Sequence, residues 1–138
     1  MARCRVFRID DNLKEMVADG LYGKHLFGTH ISVAVVKFVE RAGAALPAKP
    51  HSHGEEASLQ LLGACSVLEG TGTPDDTAYA MEEGDALIIP ADQMHYGKNR
   101  FGPAGISMRL NVVTPPRKEY GAEDTVPYYP LADRANQS

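Results

Sequence analysis

The chain of 138 residues is 43% hydrophobic and 23% charged and has a net charge of −4 at pH 7, which predicts one compact domain. An acidic balance without clustered Lys and Arg argues against a nucleic-acid partner. The chain has two cysteines, Cys4 and Cys65, which lie far apart and predict a reduced, cytoplasmic protein without a disulfide framework. No apolar run reaches the roughly 20 residues that span a membrane, so no membrane partner is expected.

The first 29 residues are expected to form an edge strand and one short helix. Residues 5–9 predict the strand, and Asp10-Asp11 would cap the helix. Apolar residues then recur with the i, i+3, i+4 spacing of one helix face, at Leu13, Met16 and Val17. Two histidines of this region, His25 and His30, are expected to pack against the core or face solvent, and they are not included in the candidate site.

Most of the remaining chain predicts short β-strands separated by turns, because segments rich in β-branched residues are separated by Gly, Pro and Asp. The expected strands are residues 30–40, a pair around Gly63 within 57–68, and residues 78–81, 86–89 and 106–113, with loops at 41–49 and 69–77. Many short strands with one helix predict an all-β barrel or double-sheet jelly roll. Its core would span about residues 30–114, followed by a tail of residues 115–138.

The segment from Pro50 to Glu56 carries a candidate metal site. Side chains alternate between the two faces of a strand, so His51 and His53 would point to the same side. Two solvated loop histidines are the simpler interpretation of this pair alone. His95 follows an apolar strand and a turn further along the chain, and with Glu56 it would complete a nitrogen and oxygen ligand set for one divalent transition metal.

Both segments resemble motifs of the cupin superfamily. The first motif, G-x5-H-x-H-x3,4-E-x6-G, is matched at His51, His53, Glu56 and Gly63, with Gly43 lying further upstream and a shorter spacer before Glu56. The second motif, G-x5-P-x-G-x2-H-x3-N, is matched at Gly84, Pro90, His95 and Asn99, with Asp92 in place of a glycine. The resemblance implies a cupin-type double-stranded β-helix, a jelly-roll barrel, in which residues 1–138 form a single domain. It also implies one metal ion per chain, for which Zn, Ni, Mn and Fe remain open.

The choice of Glu56 over Glu55 as the fourth ligand depends on Gly54. On an uninterrupted strand, Glu55 would face the metal with the histidines. A bulge or tight turn at Gly54 would shift the alternation by one residue and turn Glu56 inward instead. The residues that would then share its inward face are Ser58, Gln60 and Leu62. Ser58 and Gln60 are therefore candidates for contact with a substrate.

The last predicted strand adds further candidates. One face carries Ser107, Arg109 and Asn111 and the other is apolar; the apolar face is expected to point inward, with Arg109 outward in water. The segment from Asn111 to Arg117 resembles a D-x-F-x-P-x-R stretch of small cupins that open or isomerise unsaturated uronate sugars, in which the Asp, Phe and Arg handle the substrate. Asn111 and Arg117 are the matching candidates here, and an amide cannot act as a general base.

The pattern H-x-H-G-x-[Q/E] also resembles small cupins associated with polyketide cyclisation. The leading hypothesis is a metal-dependent lyase, isomerase or cyclase acting on a small oxygenated, sugar- or polyketide-like molecule by Lewis-acid stabilisation of an enolate-like intermediate. The alternatives are a non-haem iron dioxygenase and a non-catalytic cupin that binds a small molecule. The expected partners are a small-molecule substrate and a second copy of the chain in a homodimer.

Overall fold

The computed structural model describes residues 4, 6, 8, 9, 13–44, 46 and 49–116. Within them, the elements in chain order are β1 (Lys14–Val17), β2 (Leu21–Phe27), β3 (Ser32–Val39), α1 (Glu40–Gly43), β4 (Glu55–Leu62), β5 (Ala64–Glu69), β6 (Thr77–Met81), β7 (Ala86–Ile89), β8 (His95–Arg100) and β9 (Ile106–Thr114). No helix in this described part is long and apolar enough to cross a membrane.

The strands form two antiparallel sheets. The larger sheet has the order β1-β2-β3-β9-β4-β7, and the smaller has the order β6-β5-β8. Gly63 makes the tight turn that carries the chain from β4 in one sheet to β5 in the other, with a φ of 65° that L side chains rarely adopt. This architecture confirms the predicted all-β, jelly-roll class of fold.

The buried apolar side chains form two separate clusters. The first lies on β1 to β3 and consists of Met16, Leu21, Val36 and Phe38. The second joins the smaller sheet to β7 and consists of Cys65, Val67, Met81 and Ile89. Burying each large side chain contributes about 1.5–3 kcal/mol. Polar side chains are also fully buried on the inner face of the larger sheet, notably Gln60 and Ser107.

The N-terminal prediction of a helix is wrong. The residues concerned form β1, and a register shift between Glu15 and Val17 lets both Met16 and Val17 pack against the first cluster, which imitates the spacing of a helix face. The helix α1 instead begins directly after β3, in a segment predicted as a loop. Of the predicted edge strand, residues 6, 8 and 9 are described and are not in a strand; its other residues, with Asp10 and Asp11, lie outside the described residues.

Candidate metal centre

Three histidines meet at one end of the barrel. His51 and His53 precede β4, and His95 is the first residue of β8. The backbones of His51 and His95 exchange two hydrogen bonds, with N···O distances of 3.0 and 2.9 Å, so the two residues face each other. The centroids of the three rings lie 4.5 to 5.4 Å apart, and one potential ligand atom from each residue lies within 4.8 Å of the others.

The backbone also determines which ring nitrogen of each histidine can bind a metal. The Nδ1 atoms of His51, His53 and His95 each lie 2.8 Å from a main-chain carbonyl oxygen, of Lys49, Gly54 and Gln93 respectively. A carbonyl oxygen can only accept, so each Nδ1 carries the proton and donates it. The neutral rings therefore present the lone pair of Nε2. In metal-binding histidines, the ring nitrogen that does not bind the metal characteristically donates such a hydrogen bond.

Glu56 lies beside this cluster. Its Oε1 atom is 3.1 Å from Nε2 of His53, a distance typical of an ion pair, and the buried Nε2 has no hydrogen-bond partner. Because Nδ1 of His53 holds the ring proton, Nε2 and the carboxylate oxygen both present lone pairs. The contact becomes favourable when a positive charge, either a second proton or a metal ion, lies between them.

The pKa of Glu56 indicates that the carboxylate is ionised. Burial alone would raise this pKa, but a hydrogen bond and a positive charge from a doubly protonated His53, together with the hydrogen bond from Ser58, outweigh burial and lower the pKa from 4.5 to about 2. An ionised Glu56 beside His53 would supply one negative charge to a bound cation. Oxygen and nitrogen donors of this kind suit Zn, Ni, Mn and Fe alike.

Ser58 and Asn111 hold the second oxygen of Glu56. The Ser58 hydroxyl lies 2.5 Å from Oε2 of Glu56 and 2.8 Å from Oδ1 of Asn111. One hydroxyl proton cannot serve two acceptors, so we assign the proton to the carboxylate and rotate the Asn111 amide so that its nitrogen donates to Ser58. Two residues considered above as substrate contacts are thus connected to the carboxylate in one chain of hydrogen bonds.

The predicted alternation along β4 agrees with the structure at Glu56. Glu55 is exposed, whereas Glu56, Ser58 and Gln60 are buried. Gly54, just before β4, lies against the end of β9: a Cβ there would lie 2.6 Å from Cδ of Pro115 and closer still to the carbonyl oxygen of Thr114. The glycine is therefore required by close approach of the backbone, and its φ is not in the left-handed region expected of a tight glycine turn.

Alternation does not continue to the end of β4, so the prediction that Leu62 faces inward is wrong. The register with β9 shifts between Gln60 and Leu62, and Leu62 is 43% exposed. Gln60 itself is completely buried, and its Nε2 donates to the carbonyl of Leu62 and to Oγ of Ser107. Its Oε1 atom, which has no hydrogen-bond partner in the structure, is the only part of Gln60 left for a ligand.

The predicted orientation of β9 is also wrong at Arg109. The side chain is 8% exposed, and Nη1 donates to Oδ1 of Asn99 on β8 at 3.0 Å, so the guanidinium lies between the two sheets. Sequence reasoning therefore missed Arg109 and Asn99 as residues of the interior. The available signal was that Arg109 shares a face with Asn111, which was itself a site candidate. Arg117 lies outside the described residues.

The fold is similar to solved structures of cupins. The chain is similar to KdgF from Halomonas sp., with a TM-score of 0.60 and 22% identity over 83% of this chain and 98% of that one. An RmlC-like cupin from Shewanella frigidimarina gives a TM-score of 0.64 at 16% identity, covering 86% and 96% of the two chains. Hydroxypropylphosphonic acid epoxidase from S. wedmorenis gives 0.59 at 15% identity, covering 80% of this chain and 59% of that one.

No protein-family model matches the sequence, and comparison with curated proteins finds no match. The structural likeness nevertheless defines the class: the chain has the cupin fold. The cluster of His51, His53 and His95 fits that of a metal-binding cupin.

Proposed function

We propose that this protein is a metal-dependent cupin enzyme that acts on a small oxygenated molecule. The observation that carries the proposal is the contact between Nε2 of His53 and the ionised carboxylate of Glu56 at 3.1 Å, next to two further imidazoles with the same protonation. Nε2 of His53 is buried and has no hydrogen-bond partner, so its contact with the carboxylate would be unfavourable without a cation. His51, His53, His95 and Glu56 would hold the ion.

The donor set fits one divalent transition metal, with Zn, Ni, Mn and Fe as the candidates. Three neutral imidazoles and one carboxylate leave a divalent ion with a net charge of about +1 at the centre. When bound, the ion would supply Lewis-acid polarisation of a carbonyl, hydroxyl or enolate oxygen of the substrate. The reaction classes we favour on this basis are those of a lyase, isomerase or cyclase.

The surrounding residues have defined tasks in this proposal. The Ser58 hydroxyl keeps Oε2 of Glu56 occupied, so that Oε1 remains directed at the histidines. Asn111 orients Ser58 and cannot itself remove a proton from a substrate. The backbone carbonyls of Lys49, Gly54 and Gln93 hold the imidazoles in one tautomer, which keeps the Nε2 lone pairs in place before any ligand arrives.

Metal analysis of protein purified without added metal tests the proposal. We expect about one divalent ion per chain in the wild type and none in His53→Ala or His95→Ala. His30→Ala is the matched control, because His30 is exposed and only its backbone carbonyl accepts a hydrogen bond, from Thr114. Unchanged metal content in both site variants, with the fold intact by circular dichroism, would show that the site is elsewhere.

Turnover of small oxygenated metabolites under air and under nitrogen separates the reaction classes. The proposed Lewis-acid chemistry predicts equal rates in both. Turnover that requires iron and dioxygen would instead identify a non-haem iron dioxygenase, and tight binding of a metabolite without turnover would identify a non-catalytic binding protein.

A further inference from the structure

Arg109 is a buried cation in the middle of the barrel. It lies on β9 opposite Gln60 on β4 and Val36 on β3, and its side chain is directed toward the smaller sheet. Its guanidinium carbon lies 5.2 Å from the centroid of the Phe38 ring, close enough for a cation–π contact. These contacts hold the planar group in one position without neutralising it.

Nothing in the described part of the chain compensates the charge of Arg109. The ion pairs there join Arg41 to Asp19, Arg100 to Glu82 and His53 to Glu56. The single hydrogen bond of the Arg109 guanidinium goes to a neutral amide oxygen. Guanidinium remains charged at every physiological pH and offers five N–H donors, so an unpaired one that is more than nine-tenths buried is costly.

The strand next to the guanidinium is β8, which carries Asn99 and also His95. Gly97 of β8 has no side chain, and a Cβ built there would lie 3.7 Å from Nη2 of Arg109. His95 is two residues away on the same face of the same strand, which places its Cα roughly 7 Å from that of Gly97. A molecule with oxygen groups at both ends of a short carbon chain could therefore reach Arg109 and the metal-binding histidines together.

We propose that Arg109 is an anion-binding residue that receives the carboxylate of a small substrate, with the rest of the substrate extending along β8 toward His95. The fork of a guanidinium matches the two oxygens of a carboxylate, and the ligand would supply the negative charge that the interior lacks. The proposal narrows the substrate of the proposed function to carboxylic acids. The carboxylate site at Arg109 is independent of the proposed function, whereas the extension of the substrate toward His95 rests on it.

Binding of carboxylates to protein stripped of metal tests the anion site separately from the metal site. Acetate, pyruvate, lactate and malate are titrated calorimetrically into wild type, with their methyl esters as uncharged counterparts. We expect at least one acid, and none of the esters, to bind and to raise the unfolding temperature. Arg109→Met should weaken that binding about 30-fold or more, as expected for truncating one partner of a buried charge pair. Failure of every acid to bind the wild type would overturn the proposal.

The variants also distinguish a binding role from a structural one. Replacing an uncompensated buried charge by an apolar side chain of similar length should leave the ligand-free protein equally stable or more stable toward urea. Arg109→Lys keeps the positive charge but loses the forked pair of N–H donors. It should fold like the wild type and bind the acid more weakly, so it tests the binding role even if the Met variant does not fold. Arg41→Met, at an exposed ion pair, is the matched control. Unaltered acid binding in either folded Arg109 variant would contradict the proposal, whereas metal content should stay at one ion per chain throughout.

Discussion

Nε2 of His53 and Oε1 of Glu56 lie 3.1 Å apart, and only 6% and 8% of the two side chains are exposed. At a pH where imidazole is neutral, two acceptors face each other in a place largely shielded from water. Without a cation the two lone pairs repel each other, and with a cation between them both would be attracted to it. The charge of Glu56 is therefore the quantity to vary first.

Glu56→Gln should weaken metal binding by about one to two orders of magnitude, the scale of changes around a metal centre. The metal-free variant should unfold at the same or a higher urea concentration at pH 8, because an amide can donate to Nε2 of His53. Metal titration and urea unfolding measure the two effects. Glu55→Gln makes the same chemical change on the exposed face of β4 and should alter neither. Equal metal affinities for the two variants would remove Glu56 from the ligand set.

Ser58→Ala should lower metal affinity about tenfold, because Oε2 of Glu56 loses the donor that directs its partner oxygen toward the histidines. Competition with a chromophoric chelator gives the affinity. Ser52→Ala, at an exposed position between the two histidines, is the control and should bind metal like the wild type. If Ser58→Ala also keeps wild-type affinity, the hydroxyl does not position the carboxylate.

Gly54→Ala should destabilise the protein by about 1–3 kcal/mol, since the new methyl group would collide with Thr114 and Pro115 and force the backbone apart. The displacement should weaken metal binding as well, because Gly54 also accepts the Nδ1 proton of His53. Urea unfolding provides the measurement. Gly102→Ala serves as the control, since a Cβ there makes only ordinary contacts, the nearest at 3.5 Å. Similar stabilities for the two variants would mean that the strand ends can separate without cost.

Stability should fall in acid partly because of Asp76, which joins the loop between β5 and β6 to Tyr96 on β8 through a hydrogen bond of 2.7 Å. The donated hydrogen bond from Tyr96 holds the pKa of Asp76 below its usual value of 3.8, so the stabilisation is present above that value and is lost as the pH falls below it. The same bond raises the pKa of Tyr96 above 10.0, so a second loss is expected as the pH rises beyond that value.

Urea midpoints across the pH range check this expectation. Tyr96→Phe should flatten both limbs of the profile, whereas Tyr79→Phe, at an exposed tyrosine of β6, should leave the profile unchanged. Identical profiles for wild type and Tyr96→Phe would show that the loop does not depend on this bond.

Much of the barrel could be predicted from sequence because its central strands have strong local signals. β3 is rich in β-branched residues, and Gly63 correctly separates β4 from β5. The inward position of Glu56 could be predicted because Gly54 favoured an interruption of the strand, which turns Glu56 inward and Glu55 outward. β2 was not predicted, since its inner face carries Gly23 and His25, which conceal the apolar alternation of a strand.

The errors at Leu62 and Arg109 have physical causes that the sequence does not reveal. Leu62 is turned outward by a register shift, which depends on how β4 pairs with β9. Alternation places Arg109 with Ser107 and Asn111 but does not say which face points inward. The usual preference for an apolar interior failed because Nε2 of Gln60 donates to Oγ of Ser107 there, and the Ser107 hydroxyl donates to the carbonyl of Ala64.

The paired main chains of His51 and His95 determine how much ordering a metal ion would have to cause when it binds. Their reciprocal hydrogen bonds arise from barrel folding, so two of the imidazoles are brought together by the polypeptide before any cation is present. The entropy cost of bringing these two histidines together is thus met during folding, and metal binding would require little further ordering of their side chains. A chelator should give an apoprotein that keeps its tertiary structure and reloads rapidly, unlike a zinc finger, which unfolds without its ion. The rate of metal uptake should then depend on how easily an ion reaches the histidines and on its concentration in solution.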